Sequence, residues 1–249
     1  MAVLLVTGGS RGIGAAVVAR AAAARWAVCL TYRGDAEAAQ EVVTAAREHG
    51  VDAQAVRADV AVEADVEAAF GAADAMGPLA GVVVNAGVVA PKARVDAMSA
   101  ERVTAMLAVN VVGALTTCRE AVRRLSTAHG GPGGSIVLVS SAAARLGSPG
   151  EYVDYAASKA AVDTLGTGLA KEVAGEGVRV NVVRPGIIDT EIHASGGQPD
   201  RVDRLGPSAP VGRAGTADEV AAAVTWLLSD EASYCTGSVL DVAGGGRRT

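Results

Sequence analysis

The chain has 249 residues, and 22 Lys+Arg against 27 Asp+Glu give a formal net charge of −5. Half of the residues are hydrophobic and 20% are charged, which excludes intrinsic disorder and supplies material for a large core. A mildly acidic chain without a Lys/Arg run lacks the concentrated basic patch that phosphate neutralisation needs, so no nucleic-acid partner is expected.

The first element is the apolar run Val3-Leu4-Leu5-Val6, followed at once by Thr7-Gly8-Gly9. No charged segment precedes it and it is far shorter than a signal h-region, so it reads as a strand. No apolar run approaches the roughly 18 residues of a membrane span, so no membrane partner is expected. Further β-branched runs follow at 27–32, 53–57, 81–84, 135–140, 178–183 and 238–242. Ala-rich segments of helical period lie between them, at 12–25, 36–49, 63–76, 99–108, 110–128, 152–174 and 217–229. This alternation predicts parallel strands joined by helical crossovers. The strands are continuous Val/Ile/Leu runs, as required when helices cover both faces of a sheet. The expected fold is α/β: one doubly wound domain over 1–249, with a seven-stranded parallel sheet and helices on both faces.

Helix ends have local causes. Asp35 can cap the helix that stops at Gly50, and Thr216 with Glu219 forms a capping-box pair. A Gly/Pro-rich stretch interrupts the pattern after a strand end. Ligands of open α/β sheets bind at the carboxyl ends of strands, so the segment at about 190–212 is expected to be a substrate lid.

After the first strand stands Thr7-Gly8-Gly9-Ser10-Arg11-Gly12-Ile13-Gly14, opening a helix. Glycines at such a turn let the backbone approach a pyrophosphate, whose charge sits at the helix N-terminus. The spacing is T-G-x-x-x-G-x-G rather than G-x-G-x-x-G. The second strand ends at Tyr32-Arg33-Gly34, where an adenosine ribose would be read. An acid there selects NAD and an arginine accommodates the 2′-phosphate of NADP. Arg33 at the strand end and Arg11 in the turn favour NADP(H), with NAD(H) as the alternative; Asp35 comes two residues late.

Tyr155 and Lys159 stand at i and i+4 on a helix, hence on one face. A tyrosine with a pKa of about 10 is a poor base, and a neighbouring ammonium would lower that pKa and make it a usable acid/base. Lys159 is one of only three lysines in the chain. Upstream, the fifth strand ends at Ser140-Ser141, the fourth at Asn85-Ala86-Gly87, and the following helix carries Asn110.

These motifs, with Pro185-Gly186, resemble in order and spacing the classical short-chain dehydrogenase/reductase family from Val3 to Gly246. Within the family the chain resembles bacterial β-ketoacyl-acyl-carrier-protein reductases and glucose dehydrogenases. The resemblance implies a Rossmann-type domain and a homotetramer. It implies hydride transfer between a nicotinamide cofactor and a small-molecule carbonyl or alcohol. Tyr155 would be the proton donor and acceptor, Ser141 a hydroxyl partner, and Lys159 would hold the nicotinamide ribose. Asn110 would position the lysine. Gly8, Ser10, Arg11, Gly12, Ile13 and Gly14 would form the phosphate turn. Asp59 and Val60 would hold the adenine, with Asn85, Ala86 and Gly87 packing on the adenosine side. Pro185, Gly186, Ile188 and Thr190 would contact the nicotinamide end.

Two departures stand out. Ser141 lies one residue further from Tyr155 than is usual in the family, read here as an insertion within 145–154 that favours Ser141 over Ser140. Position 84 is Val where a second Asn is common. Tyr152, Arg145 and His193 are expected near the pocket.

His49, His129 and His193 are dispersed and no cluster has metal spacing, so no metal is expected. Cys29, Cys118 and Cys235 are far apart and read as reduced cysteines of a cytosolic chain. The helix over 155–174 is small and apolar nearly all round, which calls for cover beyond the sheet, as a subunit interface would give. Two rival readings are a non-catalytic dinucleotide sensor on the same fold and an NAD-dependent sugar or alcohol dehydrogenase.

Overall fold

The computed structural model describes residues 1–246; the last three positions of the 1–249 domain expected above lie outside the described residues. Every residue of the first strand, β1 (Val3–Val6), is buried. Leu4 and Val6 pack into one helical layer, and Val3 and Leu5 into the other. That two-sided burial is why the strands read as unbroken apolar runs.

The chain continues through α1 (Gly12–Ala23), β2 (Ala27–Tyr32), α2 (Ala36–Glu48), β3 (Ala53–Arg57), α3 (Glu63–Met76) and β4 (Leu79–Val84). Next come α4 (Ala100–Leu107), α5 (Gly113–Leu125), β5 (Gly134–Val139), α6 (Ala143–Leu146), α7 (Val153–Val173) and β6 (Val178–Pro185). The remainder is β7 (Ile188–Asp189), α8 (Ile192–Ser195), α9 (Arg201–Leu205), β8 (Gly215–Thr216), α10 (Ala217–Leu228) and β9 (Val239–Val242). Seven strands form one parallel sheet in the order β3-β2-β1-β4-β5-β6-β9. Helices α1, α2 and α10 cover one face and α3, α5 and α7 the other. Asp35 accepts from the Ala38 N–H as the cap of α2, and Thr216 and Glu219 cap α10 reciprocally.

The strand order reverses between β1 and β4, so a crevice opens at their carboxyl ends. Thr7 stitches it. Its hydroxyl accepts from the N–H groups of Asn85 and Ala86 at 3.0 and 3.1 Å, while Asn85 Nδ2 donates to the Thr7 and Gly8 carbonyls at 2.9 Å each.

Several elements differ from the sequence expectation. The expected helices 99–108 and 110–128 are continuous through a π-helical turn, Ala108–Val112. The whole span Ala100–Leu125 reaches a mean hydropathy of 1.3 over its best window, so one helix is long and apolar enough to cross a membrane by length and composition. It is a core helix here: Ala114, Cys118, Ala121 and Leu125 are buried against the sheet, and Glu120, Arg123 and Arg124 interrupt its apolar character. Helix α6, absent from the expectation, ends at Gly147 in the left-handed region (φ 71°). The two-residue strands β7 and β8 pair with each other and tie the two ends of the Gly/Pro-rich stretch.

Candidate active site

The helix α1 opens directly behind the glycine turn, and its N-terminus has no side-chain cap. Its first N–H groups are therefore left to a ligand, and the positive end of the helix favours an anion. Gly8 and Gly12 lie in the left-handed region, at φ 65° and 54°. Gly14 permits a close approach: a Cβ there would stand 2.2 Å from the Gly8 carbonyl oxygen.

Two adjoining cavities open at this edge. One, of about 410 Å³, is bounded by the turn, by Tyr32, Arg33 and Asp35 after β2, and by Asp59 and Val60 after β3. The other, of about 380 Å³, is bounded by Ser141, Tyr155, Lys159, Pro185, Gly186 and Ile188. Ile13, Asn85, Gly87, Thr190 and Ile192 border both. Two chambers joined at an uncapped helix N-terminus suit a dinucleotide: one nucleotide on each side and the pyrophosphate at the junction. Asp35 is occupied as the α2 cap, whereas Arg33 and Arg11, both exposed, line this cavity together with Asp59 and Glu191.

Of the two serines, Ser140 is buried and its hydroxyl donates to the Lys159 carbonyl at 3.0 Å, a structural tie between β5 and α7. The Ser141 hydroxyl accepts from the Ala143 N–H at 3.1 Å and lines the same cavity as Tyr155. Burial pushes the Tyr155 phenol above its ordinary pKa, while the Ser141 hydroxyl and the charge of Arg201 pull the other way. The expected dominant lowering by Lys159 is thus not found. Lys159 Nζ lies 5.8 Å from the Tyr155 ring centroid and donates to the Val139 carbonyl at 2.8 Å. Burial drops the lysine itself to about 8, opposed by Asp163 one turn along.

Asn110 sits in the π turn, a feature that recurs at functional sites because it re-aims helix groups. Its Oδ1 accepts from the Val88 N–H at 2.8 Å, and its Nδ2 lies 2.9 Å from the Val88 carbonyl and 3.0 Å from Ser158 Oγ. Gly87 fills the gap to the lysine: a Cβ there would meet Lys159 Nζ at 3.2 Å and Asn110 Oδ1 at 3.3 Å.

Of the three side chains expected near the pocket, Tyr152 and His193 line it and Arg145 does not. Arg145 turns to Asp241 at 3.3 Å, because α6 carries it towards the β9 edge. Tyr152 is itself buried, edge-on to Tyr155 at 5.7 Å between centroids. His193 Nε2 lies 2.9 Å from the Ile188 carbonyl, and burial lowers its pKa, which keeps it neutral. Arg201 replaces Arg145 as the cavity's arginine. Sequence reasoning passed over it because it stands in no motif, and Thr7, although it opens the glycine motif, was given no role of its own. Among the described residues, no group of three or more His, Cys, Asp or Glu side chains converges as a metal site would.

A parallel sheet that reverses at β1/β4, a glycine turn, and Ser, Tyr and Lys on one cavity wall define a dinucleotide-dependent oxidoreductase fold. The comparisons agree. The profile of the family described as enoyl-(acyl carrier protein) reductase matches residues 8–246. The uncharacterized oxidoreductase YgfF of Escherichia coli is 53% identical over 246 residues, covering 98% of this chain and 100% of that one. The 3-oxoacyl-[acyl-carrier-protein] reductase FabG of Aggregatibacter actinomycetemcomitans is 33% identical, over 97% of this chain and 98% of that one. A short-chain dehydrogenase from Burkholderia cenocepacia, solved in complex with NADP, superposes with a TM-score of 0.88 at 35% identity, covering 97% and 96% of the two chains. The chain belongs to the short-chain dehydrogenase/reductase family.

Proposed function

We propose that the protein is an NADP(H)-dependent oxidoreductase that interconverts a small-molecule carbonyl and its secondary alcohol, with Tyr155 as general acid and base. The observation that carries this reading is the placement of Ser141, Tyr155 and Lys159 on one wall of a cavity joined to the phosphate turn. The bound dihydronicotinamide supplies hydride, and the protein supplies placement and a proton. In the reducing direction, Ser141 and Tyr155 donate to the carbonyl oxygen as negative charge grows on it, and the phenol proton passes to that oxygen. Lys159 holds the nicotinamide ribose, Asn110 fixes the Val88 segment beside it, and Ile188 and Thr190 bond the carboxamide. Gly8, Ser10, Arg11, Gly12, Ile13 and Gly14 cradle the pyrophosphate. Asp59 and Val60 border the adenine, with Asn85, Ala86 and Gly87 beneath the adenosine and Pro185 and Gly186 against the nicotinamide. Residues 190–212 close over the substrate, and the whole of 1–249 acts as one domain.

The NADP complex of the Burkholderia relative and the free guanidiniums of Arg11 and Arg33 support the cofactor assignment. A charge-assisted hydrogen bond contributes about 1.5–3 kcal/mol. Arg33→Ala is therefore expected to lower the preference for NADPH over NADH, as a ratio of kcat/KM values, by about 10- to 100-fold. An unchanged ratio would remove Arg33 from the assignment.

The lysine sets an alkaline limit. It binds the ribose as an ammonium and sits at about 8, so that form is complete below this value and lost as pH rises through it. The kcat/KM for NADPH, which reports the free enzyme, should fall about tenfold per pH unit beyond about 8. The Tyr155 phenol is held above its ordinary value and stays protonated across that range. A profile flat to pH 9.5 would contradict the role given to Lys159.

The quaternary proposal rests on the outer face of α5 and α7, where Leu115 is 48% exposed beside Leu165 and Leu169. We expect a homotetramer by light scattering, and a stable monomer would count against it. The dispersed, unpaired cysteines suit a reducing compartment, so the proposed location is the cytoplasm.

A further inference from the structure

Three carboxylates border the cavity at the phosphate turn, and two of them are occupied. Asp35 accepts from the Ala38 N–H and Asp59 from the Ala61 N–H, at 3.0 Å each. Glu191 is the third. It is exposed, it stands directly before α8 without capping that helix, and its carboxylate has no hydrogen-bond or ion-pair partner among the described residues. Its place is set by the backbone. The pairing of Ile188 and Asp189 with Gly215 and Thr216 anchors the segment just ahead of it. A Cβ built on Gly12 would meet Thr190 Cγ2 at 3.3 Å and Glu191 Oε2 at 3.7 Å.

Gly12 is the first residue of α1, at the N-terminus that no side chain caps. The Glu191 carboxylate therefore lies beside the position proposed for the pyrophosphate. Two effects follow, and they have the same sign. In the empty cavity the negative side chain gains from the positive end of α1, a gain that an incoming diphosphate must displace. In the filled cavity the carboxylate and the diphosphate are like charges at close range, and they repel. Each effect weakens binding of the dinucleotide.

We propose that Glu191 limits the affinity of the site for its dinucleotide: the carboxylate competes with the diphosphate at the α1 N-terminus and so hastens release of the spent cofactor. The diphosphate is common to NADPH and NADH, so Glu191 acts on both alike, whereas Arg33 is assigned to the 2′-phosphate that only NADPH carries. This inference rests on the dinucleotide site proposed above and names the residue that regulates its occupancy.

The test is Glu191→Gln, which keeps the shape of the side chain and removes its charge. It breaks no helix cap and no ion pair among the described residues, so the fold should be unaffected. Kd for NADPH and for NADH is read by fluorescence titration, and release rates by stopped-flow displacement, at about 20 mM and about 1 M NaCl. Glu41→Gln is the control, an exposed acid on α2 that does not border the cavity. At low salt, Glu191→Gln should bind both dinucleotides at least about threefold more tightly and release them correspondingly more slowly. At high salt, where charges are screened beyond about 3 Å, the difference from wild type should shrink below about 1.5-fold. Glu41→Gln should match wild type at either salt. Affinity unchanged in Glu191→Gln would overturn the inference, and weaker binding would make the carboxylate a ligand rather than a competitor. Tightening that persists at high salt, or that is confined to NADPH, would overturn it too. Failure of the wild-type protein to bind either dinucleotide would sink the cofactor reading itself, an outcome distinct from any difference between the variants.

Discussion

Tyr155→Phe is expected to lower kcat for carbonyl reduction by at least about 10²–10⁴-fold, the range that general acid catalysis supplies. The substitution removes one oxygen and leaves the ring, so the edge-on contact with Tyr152 persists and the fold should be untouched. Ser141 remains as a donor to the carbonyl oxygen, but its own hydroxyl is oriented by the Ala143 N–H and carries no adjacent base to reprotonate it. NADPH affinity, read by fluorescence titration, should stay within about threefold because Lys159 and the phosphate turn are intact. Near-normal turnover in this variant would mean that another group delivers the proton, and the roles assigned to the cavity wall would have to be redrawn.

The second large effect concerns the backbone rather than a reacting group. In Gly14→Ala, the added Cβ would stand 2.2 Å from the Gly8 carbonyl oxygen and 2.6 Å from Asn85 Nδ2. Neither is the far end of a flexible side chain: Asn85 Nδ2 is fixed by its bonds to the Thr7 and Gly8 carbonyls. The turn must therefore shift, and the Thr7–Asn85 stitch across the β1/β4 crevice shifts with it. Overpacking of this kind costs about 1–3 kcal/mol, and in a chain of this size each kcal/mol lowers Tm by about 2–4 °C. The loss should be larger in cofactor affinity, at least about tenfold, because the displaced atoms belong to the turn proposed to cradle the pyrophosphate. Gly71→Ala is the matching control. It lies on the exposed side of α3 with nothing within 4 Å of the new Cβ, so it should be neutral or slightly stabilising through helix propensity. Equal losses in the two variants would show that the close approach at Gly14 has no special importance.

The sheet was legible because burial on both faces leaves a coarse mark: four apolar residues in a row in β1, β2 and β5, with shorter β-branched runs in the other strands, all separated by helical periods. The glycine turn and the Tyr155/Lys159 pair were legible for a different reason, since each depends on spacing along one element. What stayed hidden depends on contacts between elements. The strands β7 and β8 have two residues each and no pattern to display, and α6 has four. The π turn at Asn110 looks in sequence like an ordinary helix, because one extra residue in a turn leaves the composition unchanged. Arg145 and Arg201 show the limit most directly. Both are single arginines in irregular stretches, and only the packing of α6 and α9 decides that the first meets Asp241 while the second lies over Tyr152. The Lys159 ammonium likewise read as the group that tunes Tyr155. In the folded chain, burial dominates the ionisation of both residues.

The central claim is that this cavity transfers hydride to a carbonyl carbon while Tyr155 protonates the oxygen. It is tested most directly by incubating the enzyme with NADPH deuterated at the nicotinamide C4 and a series of small ketones, then locating the label by mass spectrometry and NMR. The predicted result is one deuterium on the carbinol carbon of the alcohol product, with the label absent when Tyr155→Phe is used over the same time. Tight NADPH binding with no label transferred to any carbonyl, and no oxidation of the matching alcohols with NADP⁺, would contradict the reductase reading and leave a protein that binds the dinucleotide without chemistry.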